Sequence, residues 1–164
     1  MSRRRFIALA ALSALSGCGF KLRGERNYVF DTISVVAPQA GPVAAELRRA
    51  LGSRLRDGPV PAGEPAAQVT LELLLEQREK TVVGINAAGQ VREFQLRIRA
   101  RFRLRTAEGK ELIPESEILQ QRDISFYESA VLAKEVEEGL LYRDMQNDIA
   151  QQMLRRLAAL SSLN

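Results

Sequence analysis

Apolar and polar residues alternate along the stretch from Arg92 to Arg105, the most regular pattern in the chain. The apolar set comprises Phe94, Leu96, Ile98, Ala100, Phe102 and Leu104. The polar set consists of Gln95 and five arginines, Arg97, Arg99, Arg101, Arg103 and Arg105, which we call the arginine comb. A period of two is typical of a β-strand with one face in a core and the other toward solvent or a partner. The pattern therefore predicts a long strand that presents the arginine comb on its unburied face.

A second alternating stretch, residues 68–83, predicts a partner strand for the arginine strand. Its apolar face holds Val69, Leu71, Leu73 and Leu75, and its polar face holds Thr70, Glu72, Leu74, Glu76, Arg78 and Lys80. Residues 84–90, GINAAGQ, have the composition of a turn, so the two strands are predicted to form an antiparallel hairpin. The parity of the faces places Glu72 and Glu76 opposite the comb, against either Arg103 and Arg99 or Arg101 and Arg97.

The remaining periodic stretches predict two helices and two further strands. Residues 28–37 predict a first strand, and residues 42–56 an amphipathic helix that begins at Pro42. Residues 111–126 predict a strand with Ile118, Ile124 and Phe126 inward, in which Pro114 indicates an edge position or a bulge. From Ser129 the period becomes helical. The predicted core stripe of this last helix is Leu141, Met145, Ile149, Met153, Leu157 and Leu160.

This order of elements predicts an α+β fold in a single domain over residues 28–164. We expect a two-layer sandwich with one mostly antiparallel sheet of about four strands and two helices packed on one face. The other face of the sheet, which carries the comb, is expected to be open.

The N-terminus has the pattern of an export signal. Arg3, Arg4 and Arg5 precede an apolar run over residues 6–15, which is too short to span a bilayer. The run ends in Leu-Ser-Gly-Cys, which resembles the lipobox of bacterial lipoproteins. That resemblance implies a diacylglycerol on the thiol of Cys18, removal of residues 1–17 as a signal peptide, acylation of the new amine with a fatty acid such as palmitate, and a lipidated tether over residues 18–27. The alternative is an ordinary signal peptide with a chance cysteine.

Two further features concern the mature chain. Gly19 follows Cys18 where an Asp would favour retention in the inner membrane, so the resemblance implies the outer membrane. Removal of residues 1–17 takes away three of the 24 basic residues and none of the 20 acidic ones, which leaves a nearly neutral protein.

The composition argues against an enzyme. The chain has no histidine and only one cysteine, which removes the usual metal sites and histidine-based nucleophilic catalysis. Asp144 and Asp148 lie four residues apart on the last helix, where a solvated polar face explains them better than an acid–base pair. We expect no catalytic residue, no metal and no cofactor.

Three stretches carry a resemblance to a known family. They are residues 18–24 (CGFKLRG), residues 132–135 leading into 138–145 (LAKE and EGLLYRDM), and residues 148–152 followed by 154–157 (DIAQQ and LRRL). Together they resemble the lipopolysaccharide-assembly lipoproteins of the LptE type, formerly rare lipoprotein B. The resemblance implies a Gram-negative, non-enzymatic subunit of the outer-membrane lipopolysaccharide translocon. Such a subunit plugs the β-barrel partner LptD, helps it assemble and binds lipopolysaccharide.

The arginine comb remains open to three interpretations. Guanidinium groups suit the phosphates of lipid A and the acids of the inner core, and they equally suit acidic groups of a barrel. A solvated strand face is the third interpretation. Two competing function classes are a periplasm-facing scaffold lipoprotein without lipid cargo and a nucleic-acid-binding module. The module is disfavoured by the export signal and because the comb face lacks aromatic side chains on which bases could stack.

Overall fold

The computed structural model describes residues 27–38, 41–58 and 65–163. The predicted signal peptide, Cys18 and almost all of the tether lie outside these ranges. The strands are β1 (Ile33–Val36), β2 (Val69–Ile85), β3 (Val91–Thr106) and β4 (Glu111–Ser125). The helices are α1 (Pro42–Leu51) and α2 (Val131–Ala158), with short 3-10 turns at Gly52–Arg54 and Glu128–Ala130.

The sheet confirms the predicted α+β architecture. Its four strands lie in the order β1-β2-β3-β4, with β1 parallel to β2 and the other pairs antiparallel. Both helices pack on one face, and β4 is an edge strand whose pairing with β3 is irregular around Pro114, as the sequence predicted. The core therefore lies between one face of the sheet and the helix pair.

The predicted periodicities are borne out in β3 and α2. The side chains of Leu96, Ile98, Ala100, Phe102 and Leu104 are fully buried against the helix layer. The central residues of the α2 stripe are fully buried as well, namely Met145, Ile149, Met153 and Leu157, whereas Leu141 and Leu160 at its ends are partly buried.

Two elements are shorter than predicted. The first strand is confined to Ile33–Val36 within the predicted 28–37. Helix α1 ends at Leu51 rather than Arg56, because Gly52 has a φ of 53° and its N–H bonds back to the carbonyl of Arg48. This left-handed conformation suits glycine and ends the helix.

A bulge in β2 reverses the faces of its second half. Glu72 lies opposite Arg103 as predicted, but the register shifts between Leu73 and Leu75. Glu76 then lies opposite Ala100, so its predicted place opposite the comb is wrong. Because side chains alternate between faces, the extra residue turns the side chains of β2 to the other side as far as Val82, where the register shifts again.

The reversed half of β2 attaches the helices to the sheet. Both carboxylate oxygens of Glu76 lie 3.2 Å from the backbone nitrogen of Val43 in the first turn of α1. The guanidinium of Arg78 lies 5.1 Å from the ring centroid of Tyr142, and Lys80 forms an ion pair with Glu138 at 2.6 Å. Three charged residues expected on the comb face therefore hold α1 and α2.

Gln146 is a second departure from the predicted faces. It lies outside the predicted apolar stripe of the last helix, yet it is buried, beside Arg78 of β2. In the amide orientation that satisfies both groups, its oxygen accepts hydrogen bonds from Arg78 and its nitrogen donates to the carbonyl of Tyr142 at 3.3 Å. The inward turn of Arg78 thus gives the buried amide a partner.

Candidate functional site

The arginine comb runs along the centre of the open face, flanked by β2 and β4. Its four C-terminal members each lie within 4.0 Å of a carboxylate. On β2, Glu72 accepts from Nε of Arg103 at 2.6 Å and lies 4.0 Å from Arg105. The comb is therefore bordered by acids rather than left as a bare cationic strip.

Two acids on β4 form the other border of the comb. Glu117 lies 3.7 Å from Arg99, and Glu115 lies 2.9 Å from Arg101. Neither partner was predicted from the sequence, because the register of β4 against β3 was not part of the prediction. The spacing of Glu115 and Glu117, two residues apart in a predicted strand, was the available signal.

Arg97 differs from the rest of the comb. Within the described ranges it forms no ion pair, and its Nε donates to Oε1 of Gln95 at 2.7 Å. Gln95 in turn donates to Oδ1 of Asp123 at 3.0 Å. The guanidinium of Arg97 is thus the comb member whose charge is not matched by an adjacent carboxylate.

The comb side chains lie partly along the sheet. The side chain of Arg103 is 27% exposed and that of Arg101 is 44% exposed. The Nε atoms of Arg99 and Arg105 are buried and lack a hydrogen-bond partner among the described residues. The outer guanidinium nitrogens of the face can therefore bind an anion. The anion would replace ion pairs with carboxylates, which are weak where they are exposed.

A second cluster of cations lies at the far end of the hairpin, where α2 begins. Lys80, Phe94, Phe126, Lys134 and Glu138 line a cavity of about 60 Å³. Nζ of Lys134 contacts Glu137 at 2.8 Å and Oγ of Ser125 at 3.0 Å. This cluster was not predicted from the sequence, because its members lie far apart along the chain. The cavity is large enough to hold water.

The same end of the molecule exposes apolar side chains. On α2, Leu132, Val136 and Leu140 recur every four residues and are 79%, 66% and 49% exposed. At the end of β2, Val82, Val83 and Ile85 are exposed as well. None of the helices in the described ranges is long and apolar enough to cross a membrane. Those ranges also hold no cluster of three or more potential metal ligands.

Comparison with known proteins gives a consistent result over the whole domain. The profile of the family described as "LptE: Lipopolysaccharide-assembly" matches residues 30–157. The LPS-assembly lipoprotein LptE of Pectobacterium atrosepticum is 26% identical over 168 aligned residues, which cover 98% of this chain and 89% of that protein.

Solved structures show the same fold. The solution structure of lipoprotein B from Nitrosomonas europaea superposes with a TM-score of 0.70 at 34% identity, and covers 86% of this chain and 91% of its own. The crystal structure of rare lipoprotein B from Shewanella oneidensis has a TM-score of 0.63 at 19% identity, with coverages of 78% and 94%. The match of the family profile to residues 30–157 shows that the chain belongs to the LptE lipopolysaccharide-assembly family.

Proposed function

We propose that this protein is an outer-membrane lipoprotein of the lipopolysaccharide translocon, anchored through Cys18, which plugs and helps assemble the β-barrel partner LptD and binds lipopolysaccharide. The observation that carries the proposal is the family match over residues 30–157, which spans every strand and helix of the domain except the last residue of α2. The role is non-enzymatic, since the family and the Pectobacterium relative are described by lipopolysaccharide assembly and not by a reaction.

The open face of the sheet supports the plug part of the proposal. Its central rows alternate in charge, with acids on β2 and β4 on either side of the arginines on β3. The interior of an outer-membrane barrel is polar, in contrast to its lipid-facing outside. A charged but nearly balanced sheet face is suited to such an interior, because it presents donors and acceptors without a large net charge.

The arginine comb (Arg97, Arg99, Arg101, Arg103, Arg105) is the proposed contact for lipopolysaccharide, with Arg97 as its leading member. Arg97 has no carboxylate partner among the described residues, and the pair between Arg101 and Glu115 is about half exposed on both sides. Exposed ion pairs contribute only about 0–1 kcal/mol, so a phosphate can replace the carboxylate at little cost. Arg103 is the least available of the four paired members, because it is the most buried of them and its partner is Glu72.

A mild-detergent pull-down of the membrane-anchored protein tests the translocon part of the proposal. We expect mass spectrometry to find an outer-membrane β-barrel in about equimolar amount. A clean monomer, from cells in which such a barrel is abundant, would refute the plug assignment and favour a scaffold lipoprotein without that partner.

Charge reversal tests the lipopolysaccharide contact. Arg97→Glu should weaken lipopolysaccharide binding by about tenfold, the loss expected when one charge-assisted contact worth roughly 1.4 kcal/mol is removed. Arg143→Glu, at an exposed position of α2, makes the same change in net charge away from the comb. Equal weakening by both variants would indicate non-specific attraction, and unchanged binding of Arg97→Glu would remove Arg97 from the contact. Equal melting temperatures are required for either comparison.

A further inference from the structure

The two edges of the sheet differ in whether their backbone groups are satisfied. At β1, the N–H of Arg56 donates to the carbonyl of Ile33 at 2.8 Å, and the N–H of Val35 donates to Asp57 at 2.8 Å. Nη2 of Arg48 completes the cover by donating to the carbonyl of Val35 at 2.8 Å. The β1 edge is therefore closed by side chains and by the segment that follows α1.

Along the 15 residues of β4, the described part of the chain supplies no comparable cover for the edge. The N–H of Phe126 donates to the carbonyl of Arg92 at 2.8 Å, and the register then continues without a shift from Ser125 to Ser116. Because antiparallel pairs alternate, even-numbered residues bond to β3 and odd-numbered residues point their N–H and C=O groups outward. Between Ser116 and Ile124 the outward positions are Glu117, Leu119, Gln121 and Asp123.

These outward groups are largely free within the described part of the chain. None of the four N–H groups has a hydrogen-bond partner there, and the carbonyl of Gln121 is met only by the side chain of the adjacent Arg122 at 2.9 Å. All four residues are exposed. A long edge with unpaired N–H and C=O groups is a template for another strand.

The side chains at this edge indicate the kind of strand that it takes. Glu117 and Asp123 lie on the open face at the outer border of a sheet whose rows alternate between acidic and basic. A further strand that pairs with β4 continues this alternation if its side chains on the open face are basic. A second copy of β4 is a poor fit, because antiparallel self-pairing brings one acidic row against another.

We propose that the free edge of β4 accepts an extended, antiparallel segment of a protein partner, with basic side chains opposite Glu117 and Asp123. These two acids are six residues apart on one face, so the partner's two basic residues are also six apart, about 20 Å along the strand. Backbone hydrogen bonds supply the affinity, and the two charge pairs fix the register. Pro114 and the irregular pairing beside it limit the docking segment to residues 116–125.

A peptide of defined sequence tests the proposal on the full chain in mild detergent. The probe has nine residues of alternating threonine and valine, with arginine at positions two and eight, and its control has glutamate at both positions. Amide NMR should show slowed hydrogen exchange at Glu117, Leu119, Gln121 and Asp123 on addition of the arginine peptide. We expect the glutamate peptide to bind at least about tenfold more weakly, and equal binding of the two would overturn the charge assignment.

A proline at the edge separates backbone docking from surface attraction. Leu119→Pro removes an outward N–H without removing a bond to β3, and edge strands tolerate proline in this orientation. We expect an almost unchanged melting temperature and at least tenfold weaker peptide binding, whereas Gln120→Pro should lower the melting temperature because its N–H faces β3. Undiminished binding to folded Leu119→Pro would refute the strand addition.

A modified peptide tests the backbone hydrogen bonds without any protein variant. N-methylation of peptide positions four and six removes donors that face β4 and leaves both arginines in place. Binding that survives this change overturns the proposal. A concentration-dependent dimer of the protein that Leu119→Pro abolishes would assign the edge to a second copy and would likewise overturn it.

Discussion

At the scale of single residues, Glu76 does the most to set the position of α1. Its carboxylate reaches from β2 to the backbone nitrogen of Val43, an orphan donor in the first turn of a helix that has no side-chain cap of its own. Burial raises the pKa of Glu76 above its usual value, opposed by the hydrogen bonds from Val43 and Ala44 and by the charge of Arg78. The site thus holds a carboxylate at a helix N-terminus, although burial disfavours its ionised form.

This raised pKa has a definite consequence for stability. Because the folded state holds the proton more tightly than the unfolded chain, folding is favoured at low pH and this contribution is lost as pH rises from about 4.5 through the raised pKa. We predict that Glu76→Gln loses less stability than the wild type between pH 4.5 and 7. Urea unfolding of both proteins at each pH measures the difference, and a parallel pH dependence would contradict the prediction.

Gly41 is the second residue on which this contact depends. A Cβ at Gly41 would collide with the carboxylate of Glu76. We predict that Gly41→Ala costs about 1 kcal/mol, the usual value of a helix cap, and that Glu76→Ala costs about the same. Since both changes remove the same contact, the double variant should be little less stable than either single variant. Additive losses in urea unfolding would show that Gly41 and Glu76 act independently.

At the scale of elements, α2 has an inner and an outer apolar stripe. Ile149 is fully buried beneath the sheet, whereas Leu132 on the same helix is 79% exposed. We predict that Ile149→Asp costs more than about 4 kcal/mol, enough to unfold a marginally stable domain, because it buries an unpaired charge. Leu132→Asp makes the same chemical change on the outer stripe and should alter stability by less than about 0.5 kcal/mol. Thermal unfolding followed by circular dichroism compares them, and an unchanged melting temperature for Ile149→Asp would show that the inner stripe is not core.

The elements that sequence could predict are those whose pattern has a single interpretation. In the part of β3 from Phe94 to Arg105, every inward residue is apolar and all but one of the outward residues are arginine, so the two faces follow from period alone. In β2 the bulge falls within Leu73-Leu74-Leu75, where either parity places a leucine inward and the pattern cannot show a reversal. The inward position of Glu76, and the ion pairs that depend on it, could therefore be found only from the observed strand register. Glu115 and Glu117 could not be predicted as partners of the comb for a related reason: the alternation of apolar and polar residues in β4 is weak.

At the scale of the whole molecule, the two ends of the sheet differ in the side chains that they expose. β1 begins beside Val69, which pairs with Thr106, and α2 ends near Phe102, so the start of β1 and the end of α2 share one pole. The hairpin turn and the exposed apolar residues of α2 form the other pole. The 17 residues of β2 extend about 55 Å between the two poles.

The proposed anchor determines which membrane this molecule faces, and two neighbouring substitutions test it separately. Cys18→Ser removes the thiol that diacylglycerol would modify, so we expect no labelling by radioactive palmitate and a precursor that retains residues 1–17. Gly19→Asp keeps the thiol, so we expect normal labelling but a shift from the outer-membrane to the inner-membrane fraction on a sucrose gradient. Because both residues precede the predicted domain over residues 28–164, we expect both purified proteins to unfold at the wild-type temperature. Normal processing of Cys18→Ser would disprove the lipid anchor, whereas normal sorting of Gly19→Asp would disprove only the proposed sorting signal.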